Sequence, residues 1–343
     1  MDRLDKAGSR RRYDKDNVLE LIGRQLNQLC AEIAAPKGLE PARIKRVLVA
    51  GMGGSALASE FARSAWAGRL SWPVEIVKEY ALPAYVDAET LVMCSSFSGS
   101  SEETLEALAA ARQAGAQVVA VTAGGKLLET ARAKELPHVQ LPGGIQGRYG
   151  VLSGVLAWAV LAETLGAAEG LVAELRAAAE AVAADAAGWA QDVPAEQNRA
   201  KQMAESLLGH DVVVYAGPTL GAIAQKWKVD FNENAKNVAW WNVLPEMNHN
   251  ELSGWGHPEE HACQVVELQS ELDHSQVRKR FEIMNQLMSA RWTPLAVQVP
   301  GDGQVAQMVW AFMLGSYVSA YLALLNQVEI STLPLVDKLK AQL

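Results

Sequence analysis

At 343 residues the chain is too long for one typical core and suits about two domains. Half of it is apolar and a fifth charged, as in ordinary globular proteins. The net charge of −8 leaves no basic stripe for a general nucleic-acid surface, so an anionic ligand must be held by a few local donors.

The first residues are basic (Arg3, Lys6, Arg10, Arg11, Arg12), but no apolar stretch follows them, so no signal peptide is expected. Val18, Leu19, Leu21, Ile22, Leu26, Leu29 and Ile33 recur at helical spacing and predict a helix over 14–35, ended by Pro36-Lys37-Gly38. A strand–helix rhythm then begins. Apolar runs at 46–50, 74–77, 91–94 and 117–121 read as short strands, with a helical pattern over 102–114. Such strands alternating with helices imply a parallel sheet covered on both faces. Residues 142–150 are glycine-rich and read as a loop; 151–166 and 171–189 read as two linking helices. The rhythm restarts at 211–217, with further strands near 263–268 and 294–299. From Gly303 to Val328 no side chain is charged, a length that could cross a bilayer. Gln304, Gln307, Ser316, Ser319 and Asn326 interrupt it, so a buried core helix is expected, and no membrane span. A polar helical tail closes the chain over 334–343.

The expected fold is therefore α/β, with two doubly wound parallel-sheet domains packed together with linking helices. The lines fall at 1–40 for an N-terminal helical segment, 41–165 for the first domain, 166–200 for linking helices and 201–343 for the second domain. Cys30, Cys94 and Cys263 are scattered, without CxxC or Cys/His ligand spacing. Neither a disulfide framework nor a zinc site is indicated, and a reducing, cytoplasmic setting is expected.

Two turns carry chemistry. Gly51-Met52-Gly53-Gly54-Ser55 follows the first strand, and Ser95-Ser96-Phe97-Ser98-Gly99-Ser100-Ser101 follows another, just before the helix at Glu102. Open parallel sheets bind ligands where strands end and helices begin. Backbone N–H groups at a helix start attract phosphate, and glycine lets the backbone come close. Gly53, Gly54, Ser55, Ser96, Ser98 and Ser101 could thus surround one phosphate without a lysine. Either turn alone also fits a tight connection with serine helix caps. Neither the GxGxxG dinucleotide pattern nor the GK[ST] of a P-loop is present.

Further on, Asn232-Glu233-Asn234-Ala235-Lys236 and Pro245-Glu246-Met247-Asn248-His249-Asn250-Glu251 place a carboxylate and an imidazole in an amide-rich segment. That pairing can move a proton between neighbouring carbons and open a sugar ring. Lys228 to Ala235 reads as a helix face or helix start. Singly, Glu233 also fits a solvated helix glutamate and His249 a loop histidine. Trp240, Trp241 and Trp255 are expected in the core, and His138, His210, His257, His261 and His274 show no ligand spacing.

Taken together, Gly51–Ser55, Ser96–Gly99, Asn232–Lys236, Trp241–Glu246 and Asn248–Glu251 resemble the bifunctional phosphoglucose/phosphomannose isomerases, built from two sugar-isomerase (SIS) domains. The resemblance runs from about residue 45 to the C-terminus. It implies interconversion of glucose 6-phosphate and mannose 6-phosphate with fructose 6-phosphate, without metal or organic cofactor, in a homodimer with shared active sites. By position it implies that Glu233 is the base, His249 the ring-opening histidine contributed by the neighbouring subunit, and Arg148 the arginine facing the enediolate. Lys340 matches a terminal lysine that assists with the ring, with Lys338 as the alternative register. The phosphate falls to the two turns. Gly147 stands where the family has proline, Lys226-Trp227-Lys228 where it has an arginine-lysine pair, Ser100-Ser101 for asparagine-threonine, and Gly315-Ser316-Tyr317 near a replaced aspartate. A SIS-type regulator that binds a phosphosugar without chemistry, or an isomerase of another phosphosugar, would share the serine turns.

Overall fold

A computed structural model describes residues 2–5, 12–257 and 262–342. Lys6, Arg10, Arg11 and His261 lie outside the described residues. The chain divides into two compact units: Gln25–Glu180, continuous in sequence, and a discontinuous one made of Met1–Arg24 with Ala181–Leu343.

In the continuous unit, Arg46–Gly51 (β1), Val74–Val77 (β2), Thr90–Ser95 (β3), Gln117–Thr122 (β4) and His138–Gln140 (β5) form one parallel sheet in the order β2-β1-β3-β4-β5. That order is a doubly wound one. β1, β3 and β4 are apolar almost throughout because both of their faces are covered. Leu48, Ala50, Val92, Cys94, Val118 and Ala120 share a core with Ala107, Leu108, Ala111 and Leu127.

The helix expected over 14–35 is shorter and broken. Helix α1 spans Val18–Gly23, and a 3₁₀ segment follows over Gln25–Cys30. The Asp14 carboxylate caps α1 by accepting the Val18 and Leu19 N–H groups at 2.6 and 3.2 Å. The apolar spacing continues past Gly23, but Gln25 and Gln28 turn to donate to the carbonyl of Tyr149, at 3.1 and 2.7 Å. Distant bonds override the local period here. The remaining helices of this stretch are Gly53–Trp66 (α2), Glu102–Gln113 (α3), Gly125–Ala133 (α4), Val151–Thr164 (α5) and Leu171–Gly188 (α6).

The discontinuous unit has its own parallel sheet. Asp211–Ala216 (β6), Ala239–Val243 (β7), Cys263–Gln269 (β8) and Leu295–Gln298 (β9) run in the order β7-β6-β8-β9. Its helices are Arg199–Leu207 (α7), Gly221–Glu233 (α8), Glu246–Gly254 (α9), Ser275–Leu287 (α10), Gln304–Leu325 (α11) and Pro334–Lys340 (α12). α11 is, among the described residues, the one helix long and apolar enough to cross a membrane, and it is buried along its length inside this unit. It packs against α7, α8 and α1. The Ile330 N–H also bonds the Tyr13 carbonyl at 3.0 Å, so the first residues belong structurally with the last. Trp255 joins the core with Tyr215 and Phe281, whereas Trp240 is half exposed on the edge strand β7, contrary to the core position expected of it.

Candidate active site

The two serine turns lie side by side, because Gly51 pairs with Ser95 at the ends of β1 and β3. A Cβ on Gly51 would stand 2.7 Å from the Ser95 carbonyl, so that approach needs glycine. Gly53 has φ +51° and opens α2, aiming the helix start at the sheet's C-terminal edge. The Ser55 hydroxyl accepts the Phe97 N–H at 3.0 Å and ties the first turn to the second. Ser96 is buried; its Oγ lies 3.0 Å from Ser101 Oγ and accepts the Gly99 N–H at 3.2 Å. Ser98 is exposed, and its Oγ accepts the Ser100 N–H at 3.3 Å. Gly53, Gly54, Ser55, Ser96, Ser98 and Ser101 are thus gathered in one cradle, with the hydroxyls also setting the shape of the loops.

The backbone at Arg148 lies against the first of these turns. It sits in a 3₁₀ turn, Gly147–Tyr149, inside the stretch expected to be a loop. A Cβ on Gly54 would lie 2.9 Å from the Gly147 carbonyl oxygen and 3.3 Å from Arg148 Cα, so this turn rests on the start of α2. Beneath it, Phe97 Cβ would be 3.3 Å from a Cβ on Gly147, and its ring fills the space a Cβ on Gly150 would need. The guanidinium lies over the Tyr149 ring at 4.9 Å. Phe97 below and the Gln25 and Gln28 amides at Tyr149 pin this turn. Those glutamines were not picked out from sequence. Two glutamines three residues apart inside an apolar helical pattern, one of them 1% exposed, were the available signal.

Glu233, His249 and Lys340 belong to the discontinuous unit, on three separate elements. The segment expected as a helix face or start is the end of α8, and Glu233 is its last residue, half-buried. The polar residues around it act as anchors. Asn232 Nδ2 donates to the carbonyls of Lys228 and Ala239 at 2.8 and 3.1 Å, and Asn234 Nδ2 donates to Ser319 Oγ at 3.0 Å. Lys236, in the left-handed region at φ +51°, donates from Nζ to the Ile330 carbonyl at 3.0 Å and to that of Glu329. A carboxylate so framed is held in place and close to solvent, which suits a proton carrier.

His249 is helical rather than in a loop, exposed on α9. That helix is fastened by Glu251, which accepts the Tyr215 hydroxyl at 2.6 Å and Asn242 Nδ2 at 2.5 Å. Trp255 Nε1 donates to the same hydroxyl at 2.8 Å. Burial and the bond to Glu251 push the Tyr215 hydroxyl pKa upward, so it remains a donor. Lys338 and Lys340 are both exposed on α12. Among the described residues no group of three His, Cys, Asp or Glu side chains could hold a metal.

Residues 196–343 match the family model described as the bacterial phospho-glucose isomerase C-terminal SIS domain. The chain is 32% identical to a bifunctional phosphoglucose/phosphomannose isomerase of Caldicellulosiruptor bescii, over 88% of this chain and 90% of that protein. It is also 32% identical to the protein of that name from Aquifex aeolicus, over 96% of this chain and 98% of the relative. Among solved structures it is similar to the C-terminal domain of glucosamine-fructose-6-phosphate aminotransferase from Francisella tularensis, with a TM-score of 0.71 at 13% identity. That match covers 92% of this chain and 96% of the other, and it shows the fold alone: a pair of SIS domains.

Proposed function

The chain belongs to the bifunctional phosphoglucose/phosphomannose isomerase family, and on that premise we propose that Glu233 is the base of its reaction. The enzyme is a sugar-phosphate isomerase interconverting glucose 6-phosphate and mannose 6-phosphate with fructose 6-phosphate. Glu233 takes the proton from C2 of the open-chain aldose and returns it to C1 through a cis-enediol. It must be ionised to begin, which a carboxylate is at neutral pH. Glucose and mannose differ only at C2, and the planar enediol erases that difference, so one site serves both. The observation that carries this reading is the framing of Glu233 by Asn232, Asn234 and Lys236, whose side chains bond more distant groups and so fix the helix end that bears the carboxylate.

The remaining roles follow. The phosphate is held by the N–H groups and hydroxyls at Gly53, Gly54, Ser55, Ser96, Ser98 and Ser101. Arg148, fixed beside that cradle, supplies a cation for the developing enediolate charge. His249 opens the ring from the neighbouring subunit of a homodimer, and its exposure on α9 leaves it available to do so. Lys340 assists with the ring. The proton transfer proposed for Glu233 calls on no metal or organic cofactor. We propose a cytoplasmic enzyme working on the hexose-phosphate steps of glycolysis and gluconeogenesis.

A coupled assay with glucose 6-phosphate and mannose 6-phosphate, run in EDTA, tests this. The wild type should turn over both, and Glu233→Gln should bind phosphosugar yet lose turnover by at least about 10³-fold. Full activity in that variant would remove Glu233 from the base role.

A further inference from the structure

One turn before Glu233, the interior of the discontinuous unit holds a charged pair that the reaction scheme leaves unused. Lys226 and Asp230, four residues apart on α8, are each only 3% exposed. Lys226 Nζ donates to the Asp230 carboxylate and, at 2.7 Å, to Ser316 Oγ on α11; it also lies 4.0 Å from the centre of the Phe312 ring. Ser316 Oγ in turn donates to the Phe312 carbonyl at 3.0 Å. The ammonium has three N–H groups, and these partners account for them. Stability alone does not explain such a pair, because apolar side chains of similar volume serve a core as well or better.

Its position does. Asp230 stands three residues before Glu233, on the same side of the helix, where an uncompensated negative charge would oppose ionisation of the second carboxylate. Lys226 is in electrostatic contact with both. Burial pushes its pKa down, while Asp230 and Glu233 hold it up. The elements packed on α8 bring little else. α11, β7 and the 218–220 turn carry no Asp, Glu, Lys or Arg. The titratable groups they and β6 contribute are Tyr317 and Tyr321 on α11, and Asp211 and Tyr215 on β6. Lys228 on α8 and Lys236 beyond it are the other cations of this stretch, and Lys236 Nζ donates to the Glu329 and Ile330 carbonyls.

We infer that Lys226 is a positioning residue for Glu233: it cancels the Asp230 charge inside the fold, keeps the Glu233 carboxylate ionised and fixes the helix turn that presents it. This rests on the assignment of Glu233 as base. Ser316, read in the sequence only as standing near a replaced aspartate, becomes a ligand of the buried ammonium, and a neutral hydroxyl there leaves Lys226 to act on the two carboxylates of α8.

The test uses Lys226→Met and the double variant Lys226→Met/Asp230→Asn, which removes both buried charges and so does not depend on tolerating one alone. kcat/KM is measured against pH for both sugar phosphates, with a thermal melt for each protein. In Lys226→Met, which leaves the Asp230 charge uncancelled, the acidic limb should move up by about one pH unit, roughly a tenfold loss below the limb, with KM little changed; in the double variant, which removes both charges, the limb should return close to that of the wild type. A folded Lys226→Met whose limb stays in place, with activity falling evenly at every pH, or a double variant whose limb moves up as far as the shift expected of the single variant, would overturn the inference. Glu233→Gln separates the two levels. If it is inactive while the limb of Lys226→Met stays put, only the role of Lys226 falls; if it is active, the base assignment falls and this inference with it.

Discussion

Replacing Gly54 by alanine probes how closely the Arg148 turn is set against α2. The added methyl would stand 2.9 Å from the Gly147 carbonyl oxygen and 3.3 Å from Arg148 Cα. Both neighbours are backbone, so the turn must retreat by roughly half an ångström to regain ordinary contact near 3.5 Å. It cannot relax freely, with Phe97 packed below it and Gln25 and Gln28 bonded to Tyr149. A misplacement of 1 Å can cost about 10²-fold in rate, so half of that predicts roughly tenfold lower kcat. Stability should change little. Alanine is favoured over glycine in a helix by about 1 kcal/mol, which offsets crowding of similar size. Steady-state kinetics on both sugar phosphates, paired with a melt, separate these effects. The expected result is a slow enzyme that melts within a few degrees of the wild type. An unchanged kcat on both substrates would show that the turn does not set Arg148 for the reaction.

Gly315→Ala acts on the interior of the other unit. Its methyl would come within 2.5 Å of Cδ1 and 2.6 Å of Cε2 of Trp227, a wholly buried ring whose Nε1 donates to the Ala311 carbonyl at 2.8 Å. Overpacking of about 1–3 kcal/mol should lower the melting temperature by roughly 3–10 °C, and a melt within a degree of wild type would show that α8 and α11 part easily. Glu251→Ala strips Tyr215 and Asn242 of their acceptor and should cost about 1–3 kcal/mol in a denaturant titration, with lower kcat as α9 and His249 loosen; unchanged values of both would discount the anchor. Glu267 is buried in β8, accepting Gln269 and Asn285 on Oε2 with no partner at Oε1, and burial raises its pKa above the ordinary 4.5. A raised carboxyl pKa favours the protonated folded state. That stability is fully present below the unfolded value and is lost as pH rises through the folded one. Glu267→Gln should therefore melt above the wild type at neutral pH, with the gap closing below about pH 4.5; a gap independent of pH would count against the buried charge.

The strands were legible because both sheets are covered on two faces, which forces β1, β3, β4 and β6 to read as largely apolar runs, while β8 shows Val265, Val266 and Leu268 around its buried Glu267. The serine turns were legible for a related reason: a strand that ends in glycine must hand the chain to a helix start, and the two turns stand on adjacent strands. Less of the surroundings of Glu233 could be read. Local propensity leaves Lys228–Ala235 open as a helix start, yet Asn234 finds its partner in Ser319 and Lys236 in Ile330, and these distant acceptors end α8 where it ends. Lys226 and Asp230 look like a surface pair at helical spacing; only the charge-free α11 lying across them makes them interior. Trp240 fell outside the core because β7 is an edge strand, and its place in the sheet order is not encoded near the tryptophan.

The discontinuous unit imposes an order on synthesis. Val18, Leu19 and Ile22 are made well before Ala181, and in the finished fold all three are buried in the unit that Ala181–Leu343 completes. Ile330, which bonds Tyr13, is translated roughly 300 residues later, on the order of 15–60 s at the usual 5–20 residues per second. Meanwhile the continuous unit has all of its own sequence to hand and can close. The early helix therefore stays without its packing partners until α11 and the segment that carries Ile330 have been made.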